Sequence, residues 1–371
     1  MRKKKILFVQ ETLEGGGAEK VLIDILNNFD YSKFSVDLLL LKNTGIYIKD
    51  LNKNVKKTYL YNKSTINLLD KIKDNLYKRF LIRYFSNFLL TLKTKRNYDT
   101  IISFLEGPSS QFVSKINCNA QKIAWVHTDL RQLRRSSIKD ERRIYSKFNK
   151  IVCVSNEVKN GLNEMYPFTT KKSQVIYNLI DTKNIIEKSF EDIDFVFNGI
   201  NLVSVGRLIE SKRFDLIIKA HKNVLDRGIK QNLIILGDGP LKKELKDLTK
   251  KLGVNNSVKF LGFIDNPYPY IKKSNIYIMA SEYEGLPLVI CEALALKKLI
   301  ISTKCTGPKE ILKNGSGILV ECGDYKEIAN QIVRALSDKS IEEKCIEKID
   351  EIKYLFDKKY IIKKINCLIE K

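Results

Sequence analysis

The residues best suited to chemistry are charged groups that directly follow short apolar runs. Arg207 and Lys212 follow the run 201–205, and Glu284 follows the run 276–280. Two fixed cations at a strand end suit a diphosphate, and a carboxylate accepts hydrogen bonds from hydroxyl groups. The pattern therefore favours a ligand with phosphate and hydroxyl groups, although a surface ion pair is the alternative for Lys212.

A second glutamate, Glu292, follows Glu284 after eight residues. If a helix begins near Gly285, this spacing corresponds to ~12 Å along the axis and ~80° of rotation. A retaining glycosidase pair needs a separation of only ~5–5.5 Å. The two glutamates are thus expected to hold an extended ligand at two points, with Glu284 at the helix N-terminus. A structural role for a buried Glu292 is the alternative.

The first half of the chain offers glycines and one histidine at similar positions. Gly15, Gly16 and Gly17 lie between an apolar run and a helix-period segment, and His127 directly follows the run 122–126. Glycine lets the backbone approach a ligand closely, and a helix N-terminus favours an anion. The spacing is not G-x-G-x-x-G, so no dinucleotide-binding fingerprint is present.

Short apolar runs that alternate with helix-period segments position all of these residues. Such runs are typical of strands in a parallel sheet covered on both faces. The runs are 5–9, 36–41, 100–104, 122–126, 150–154 and 174–177, then 201–205, 232–236, 258–262, 276–280, 299–302 and 317–320. Two series of six predict two doubly wound α/β domains, with a ligand bound in the cleft at their strand ends.

The domain boundaries follow from this pattern. The predicted first domain covers residues 1–180, a linker of mixed polarity covers 181–200, and the second domain covers 201–340. Residues 341–371 are predicted to form a charged helical tail that packs back on the first domain.

Composition excludes several classes of protein. The 371 residues include two His and seven Cys, with no Cys-x-x-Cys pair, which argues against a multi-histidine metal site, a zinc ribbon and a disulfide framework. The apolar run near the N-terminus ends at Gln10, too early for a signal peptide. No run of 18 uncharged apolar residues occurs. A reducing, cytoplasmic location is expected.

The net charge of +23 is uneven. Residues 1–180 hold 33 Lys/Arg and 16 Asp/Glu, a balance of +17, which leaves +6 for the rest. Two basic segments, 76–96 and 131–150, stand out, and the first mixes aromatic residues with Lys78, Arg79, Arg83 and Lys93. An anionic membrane surface suits such a segment. The alternative is a helix that packs on the core and exposes its charged residues to water. Binding to nucleic acid is not expected, because no recognition motif accompanies the charge.

Motifs across nearly the whole chain resemble those of the retaining glycosyltransferases of family 4, which have the GT-B fold of two facing Rossmann-like domains. The matching stretches are 15–20 (GGGAEK), 125–129 (WVHTD), 152–157 (VCVSNE), 175–181 (VIYNLID), 205–212 (VGRLIESK), 236–240 (LGDGP), 258–263 (VKFLGF), 284–295 (EGLPLVICEALA) and 307–312 (GPKEIL). They follow the family's order, and the stretch 284–295 contains its E-x7-E motif.

The resemblance implies roles for individual residues. Arg207 and Lys212 would neutralise the departing diphosphate, Glu284 would hold sugar hydroxyls, and His127 would lie beside the transferred sugar. The implied donor-binding residues are Gly16, Gly17, Gly206, Gly237, Phe263, Gly285, Leu286, Pro287, Leu288 and Glu292, of which Glu292 would hold the ribose. Neither a metal nor another cofactor is implied.

The expected function is retaining transfer of a hexosyl or N-acetylhexosaminyl group from a nucleotide-sugar donor, with UDP as the expected carrier. The expected acceptor is a lipid-linked glycan. The reaction is expected to take place at the inner face of the cell membrane, in the assembly of a bacterial-type surface polysaccharide or glycoconjugate. A nucleotide-sugar 2-epimerase of similar fold and a non-catalytic basic scaffold are the alternatives. The scarcity of histidines and the presence of the E-x7-E motif argue against the epimerase. The presence of Arg207, Lys212, Glu284 and Glu292 argues against a non-catalytic scaffold.

Overall fold

The computed structural model describes residues 2–61, 86, 89–90, 97–132 and 138–370. The chain divides into two compact units. The first unit comprises Met1–Leu179 together with Lys359–Lys371, and the second comprises Ile180–Lys358.

The first unit is built on a parallel sheet to which the described residues contribute seven strands. The strands are β1 (Lys4–Gln10), β2 (Phe34–Lys42), β3 (Lys56–Tyr61), β4 (Thr100–Ser103), β5 (Gln121–Val126), β6 (Lys150–Cys153) and β7 (Ser173–Val175). Their order in the sheet is β3-β2-β1-β4-β5-β6-β7. The central strands are almost wholly buried because helices cover both faces of a parallel sheet.

Helices follow four of these strands in the described part of the first unit. They are α1 (Gly17–Asn27), α2 (Pro108–Lys115), α3 (Ile138–Ser146) and α4 (Asn156–Met165). In α1 the residues Val21, Leu22, Ile25 and Leu26 are buried, as the 3.6-residue period predicts. The helix α4 begins where the Ser155 side chain accepts a hydrogen bond from the Val158 amide, a standard N-cap.

The second unit is built on a six-stranded parallel sheet. Its strands are β8 (Ile200–Val205), β9 (Gln231–Leu236), β10 (Val258–Gly262), β11 (Ile276–Met279), β12 (Leu299–Thr303) and β13 (Ile318–Val320). Their order is β10-β9-β8-β11-β12-β13. All six were expected from the apolar runs, whereas the edge strand β3 of the first unit was missed.

Helices surround this second sheet. They are α5 (Thr182–Lys188), α6 (Phe214–Asp226), α7 (Lys242–Lys251), α8 (Tyr268–Lys273), α9 (Leu288–Ala295), α10 (Thr306–Leu312), α11 (Tyr325–Ser337) and α12 (Lys339–Ile349). A cluster of buried Leu, Ile, Val and Ala side chains from the strands and from α6 and α11 forms the core of this unit.

The predicted linker and tail differ from the structure. The segment 181–200 is not a plain linker, because it contains α5 and belongs to the second unit. Within the predicted tail, α12 also belongs to the second unit, where Cys345 is buried in the core. Only 359–371 groups with the first unit; there the last helix, α13 (Lys358–Glu370), receives two hydrogen bonds from the Lys4 ammonium group.

Three of the loops of interest, those after β1, β8 and β11, lie at a reversal point, where the order of the strands along the sheet reverses. In the first sheet this point lies between β1 and β4, and in the second between β8 and β11. Loops at the carboxyl ends of such neighbouring strands diverge and leave a crevice that binds ligands.

Candidate active site

The second unit brings Lys212 and Glu284 together, although 72 residues separate them in the chain. The Lys212 ammonium group donates a short hydrogen bond to Glu284 Oε1. Ser281 Oγ donates to the same oxygen at 2.8 Å. The two side chains of the ion pair are mostly buried, at 27% and 12% exposure. Glu284 is therefore held by a cation and a hydroxyl group, and Lys212 is partnered without a ligand.

Thr303, at the end of β12, holds the Ser281 backbone in position. Its hydroxyl donates to the Ser281 carbonyl at 2.6 Å, and both residues are fully buried. The Ser281 backbone is thereby fixed where its side chain reaches Glu284. Because the bond joins neighbouring strand ends, the orientation of Glu284 depends on the sheet itself.

Arg213 joins the loop after β8 to the loop after β11. Its guanidinium group donates to Asp215 at 2.9 and 3.1 Å and to Glu282 at 2.7 Å. The Glu282 amide in turn donates to the Ser211 carbonyl at 2.9 Å. Arg213 has a left-handed φ of 48°, a conformation that costs a non-glycine residue energy, and these bonds compensate for it.

Arg207 differs from Lys212 in its surroundings. It follows β8 by two residues, is exposed, and forms no side-chain hydrogen bond or ion pair with any described residue. An unpaired guanidinium group at a sheet reversal point is available to a phosphate. The two predicted cations thus lie on one loop, and among the described residues only Lys212 has an ion-pair partner.

The helix after Glu284 begins later than predicted. The helix α9 starts at Leu288, with Pro287 as its N-cap, so Glu284 lies in the preceding loop instead of at the helix N-terminus. Proline disfavours a helical conformation for the residue before it, which explains the late start. The Gly307 amide donates to the Glu284 carbonyl at 3.0 Å and fixes the loop.

Glu292 lies within α9 and is 4% exposed. Its Oε1 accepts a hydrogen bond from the Tyr268 hydroxyl at 3.2 Å. Tyr277 is close enough to both Glu292 and Glu284 for their charges to raise its pKa, although burial is the larger cause. The two glutamates therefore occupy different environments, the first paired with Lys212 and the second bonded to Tyr268.

Gly237, one of the predicted donor-binding glycines, lies where the backbone leaves no room for a side chain. Gly237 follows β9 with a φ of +144°, and a Cβ atom there would lie 1.9 Å from the Gly206 carbonyl oxygen. The two loops are also joined by the Leu208 amide, which donates to the Asp238 carbonyl at 2.9 Å. After the next strand, Phe263 is 53% exposed.

Four further predicted donor-binding residues lie at or beside the start of α9. Gly285, Leu286 and Pro287 are buried, and Leu288 is the first residue of the helix. The backbone here is crowded, because a Cβ atom at Gly307 would lie 2.6 Å from Pro287 Cδ and 2.8 Å from the Gly285 carbonyl oxygen.

In the first unit, the glycine loop uses its own glutamate as an anion. Glu19 Oε2 accepts hydrogen bonds from the Gly15 amide at 2.7 Å and the Gly16 amide at 3.0 Å. Its other oxygen accepts from the Thr12 hydroxyl at 3.0 Å. Two amides that the sequence offered to a ligand phosphate are therefore engaged by the chain, while Gly17 is exposed as the first residue of α1.

His127 follows β5 and has a buried, unpartnered Nε2 among the described residues. Burial lowers the pKa of the imidazole to about 3. The ring also hydrogen-bonds the Phe104 backbone, and because Nε2 has no partner, this bond belongs to Nδ1. The imidazole is therefore neutral at physiological pH, and its Nε2 is left to accept a hydrogen bond.

The basic positions Lys78, Arg79, Arg83 and Lys93 lie outside the described residues. Among the residues that are described, no helix is long and apolar enough to cross a membrane. Over the same residues, no group of three or more His, Cys, Asp or Glu side chains is arranged to hold a metal ion.

Comparison with known protein families identifies the enzyme family to which the chain belongs. The family model for "Glycosyltransferase Family 4" matches residues 15–184, and the model for "Glycosyl transferases group 1" matches residues 186–351. The chain belongs to this glycosyltransferase family. The fold of these glycosyltransferases is GT-B, as the two Rossmann-like units indicate.

Two relatives from Campylobacter jejuni align along almost the whole glycosyltransferase chain. One is named N-acetylgalactosamine-N,N'-diacetylbacillosaminyl-diphospho-undecaprenol 4-alpha-N-acetylgalactosaminyltransferase; it is 29% identical and the alignment covers 94% of each chain. The other is named GalNAc-alpha-(1->4)-GalNAc-alpha-(1->3)-diNAcBac-PP-undecaprenol alpha-1,4-N-acetyl-D-galactosaminyltransferase; it is 28% identical, with 92% of this chain and 91% of the relative covered.

A solved structure shares the fold. The crystal structure of Anabaena HepE in complex with UDP and glucose superposes with a TM-score of 0.76, covers 99% of each chain and is 19% identical. At this identity the likeness concerns the fold alone.

Sequence reasoning missed the residues that support the predicted ones. Ser281 and Thr303 lie at the ends of β11 and β12, so the strand-end rule that selected Arg207 could have selected them as well. Tyr268 gives no comparable signal, because only the tertiary structure brings it to Glu292.

Proposed function

We propose that this glycosyltransferase moves a sugar from a UDP-sugar to a lipid-linked saccharide with retention of anomeric configuration. The observation that most supports the proposal is the grouping of Arg207, Lys212 and Glu284 at the reversal point of the second sheet. Cations for a diphosphate and a carboxylate for sugar hydroxyls are what a nucleotide-sugar needs. The UDP complex of the Anabaena neighbour supports the choice of base.

In the proposed reaction the bond between the anomeric carbon and the diphosphate oxygen breaks as the acceptor oxygen bonds the same face. The acceptor proton passes to the departing diphosphate. Arg207 and Lys212 stabilise the negative charge that develops on this group, an electrostatic contribution to catalysis. No metal is assigned a role, because these two side chains supply the positive charge.

His127 and Glu284 are proposed to hold the transferred sugar. The neutral imidazole offers Nε2 as an acceptor for a sugar hydroxyl, and its low pKa keeps this lone pair available at physiological pH. Glu284 exchanges part of its contact with Lys212 for sugar hydroxyls when Lys212 turns to the diphosphate.

The acceptor proposal draws on the names of the two Campylobacter relatives, both of which contain an undecaprenol diphosphate. The excess of +17 on residues 1–180 favours an anionic membrane surface beside such an acceptor. Flotation with vesicles of phosphatidylcholine alone and with added phosphatidylglycerol tests this part. Failure to float with the anionic vesicles would contradict membrane association.

A thermal-shift panel tests the donor. The panel contains UDP-, GDP-, ADP- and dTDP-sugars and the free diphosphates, each with and without EDTA. A ligand at 100 times its Kd stabilises the native state by about 2.7 kcal/mol, so a true donor gives a clear rise in Tm that EDTA leaves unchanged. A flat panel with the folded chain would contradict the donor proposal, and a rise abolished by EDTA would contradict metal independence.

The stereochemistry needs a separate measurement. With the donor identified, proton NMR of the product shows whether the new anomeric bond has the configuration of the donor. An inverted product would overturn the retaining assignment and leave the donor assignment intact.

A further inference from the structure

Two cysteines lie side by side at the carboxyl edge of the second sheet. Thr303 of β12 is opposite Val320 of β13, and the Lys304 amide extends this pairing by donating to the Val320 carbonyl at 2.7 Å. Cys305 and Cys322 each follow the paired residues by two positions. Neighbouring strands are ~4.8 Å apart, and disulfides join Cα atoms ~4.4–6.8 Å apart. The register therefore brings the two cysteines to neighbouring positions at this edge of the sheet.

The two side chains also share their neighbours. Although burial raises the pKa of both thiols, the Thr303 hydroxyl is close enough to each of them to oppose this rise. The Cys322 sulfur is 4.0 Å from the Ser281 carbonyl oxygen, which is the group that accepts the Thr303 bond. Burial is the main cause of the raised pKa of the Cys305 thiol, and the nearby Cys322 raises it further, so the two thiols are close to each other.

The two cysteines differ in exposure. Cys305 is 5% exposed, whereas Cys322 is exposed. We propose that Cys305 and Cys322 form an oxidative modification site at which a low-molecular-weight disulfide converts the two thiols into an intramolecular disulfide. The accessible Cys322 reacts first, and the buried Cys305 completes the exchange.

The exchange balances in two steps. The Cys322 thiolate attacks one sulfur of the small disulfide, which forms a mixed disulfide and releases one small thiolate. Cys305 loses its proton and attacks the Cys322 sulfur, which expels the second small thiolate. Two cysteine thiols are thereby oxidised and one small disulfide is reduced to two thiols. Burial raises the pKa of the Cys322 thiol, so the first step accelerates as pH increases.

The modified residues are connected to Glu284 through the backbone. Cys305 is the N-cap of α10, and Gly307 in the first turn of that helix donates to the Glu284 carbonyl at 3.0 Å. Gly307 also lies close to the loop that carries Glu284, since a Cβ atom at Gly307 would be only 2.8 Å from the Gly285 carbonyl oxygen. A bond that draws Cys305 toward Cys322 is therefore expected to displace Glu284. This consequence, unlike the modification itself, rests on the proposed function.

The test treats the full chain with oxidised glutathione at pH 8, in a Cys118→Ser/Cys367→Ser background that removes the other exposed thiols. Peptide mapping by mass spectrometry is expected to find a 305–322 linked peptide that has lost two hydrogen atoms and that dithiothreitol reverses. Cys322→Ser is the matched control and should give no linked peptide. Glutathione that stays on Cys322, or no reaction at either thiol, would overturn the proposal.

Turnover of the UDP-sugar is measured on the same samples. Because a displacement of ~1 Å at a catalytic group costs up to ~100-fold in rate, the linked form is expected to lose roughly 10- to 100-fold of activity and to regain it on reduction. Linked protein with full activity would overturn the effect on Glu284 alone. A reduced chain without activity toward any donor would instead contradict the proposed function, while the linked peptide would still decide the modification.

Discussion

Replacing Ser281 with alanine removes one of the two described contacts that orient the Glu284 carboxylate. The lost bond, 2.8 Å long and fully buried at Ser281, ends on a charged group. Hydrogen bonds to charged groups contribute ~1.5–3 kcal/mol. If this energy is expressed in positioning the donor sugar, kcat/KM for the donor falls roughly 10- to 150-fold, since 1.4 kcal/mol is tenfold.

Ser274 provides the matched control for this measurement. It is also buried in the second unit, and its hydroxyl donates at 2.8 Å to a neutral carbonyl, that of Tyr270. Ser274→Ala and Ser281→Ala are both expected to lower Tm, since each loses one buried hydrogen bond, but only Ser281→Ala should lose turnover. Initial rates of UDP release and thermal melts are measured on both. Equal kcat/KM for the two variants, within about twofold, would refute the positioning role.

Three more outcomes follow from the second unit. Arg207→Ala should leave the free energy of unfolding within ~0.5 kcal/mol yet weaken UDP binding by roughly tenfold or more in calorimetric titration; unchanged affinity contradicts its role. Gly237→Ala should destabilise by about 1–3 kcal/mol more than Gly228→Ala in urea unfolding, because both have a positive φ but only Gly237 meets another backbone atom; equal losses contradict the clash. Burial lowers the pKa of His221 from 6.5 to about 4, so stability that is complete above pH 6.5 should fall by up to about 3 kcal/mol as pH decreases to 4. His221→Gln should flatten this part of the urea-unfolding profile, and an unchanged slope contradicts the assignment.

Most of the parallel strands were predictable because they contain or overlap short apolar runs. The edge strand β3 was not, because its sequence KKTYLY places two lysines on an exposed edge and offers only half a buried face. Charged residues protect such an edge from pairing with other chains, and this protection removes the signal on which sequence reading depends.

The start of α9 could be predicted from the local sequence, whereas the Lys212–Glu284 ion pair could not. Pro287 is visible in the sequence and explains why α9 starts at Leu288 and not near Gly285, because the residue before a proline is disfavoured in a helix. The pairing of Lys212 with Glu284 was beyond reach, because no local rule relates two residues that meet only after both loops have folded.

The Glu19 carboxylate also affects how the glycine loop of the first unit would bind a ligand. By bonding the Gly15 and Gly16 amides, it fixes a glycine segment that would otherwise sample many backbone conformations. The conformational entropy of this segment is therefore lost during folding instead of during association. A ligand that arrives at the loop finds it already ordered, so more of its contact energy remains as affinity. A flexible-looking GGG sequence thus encodes a preorganised surface.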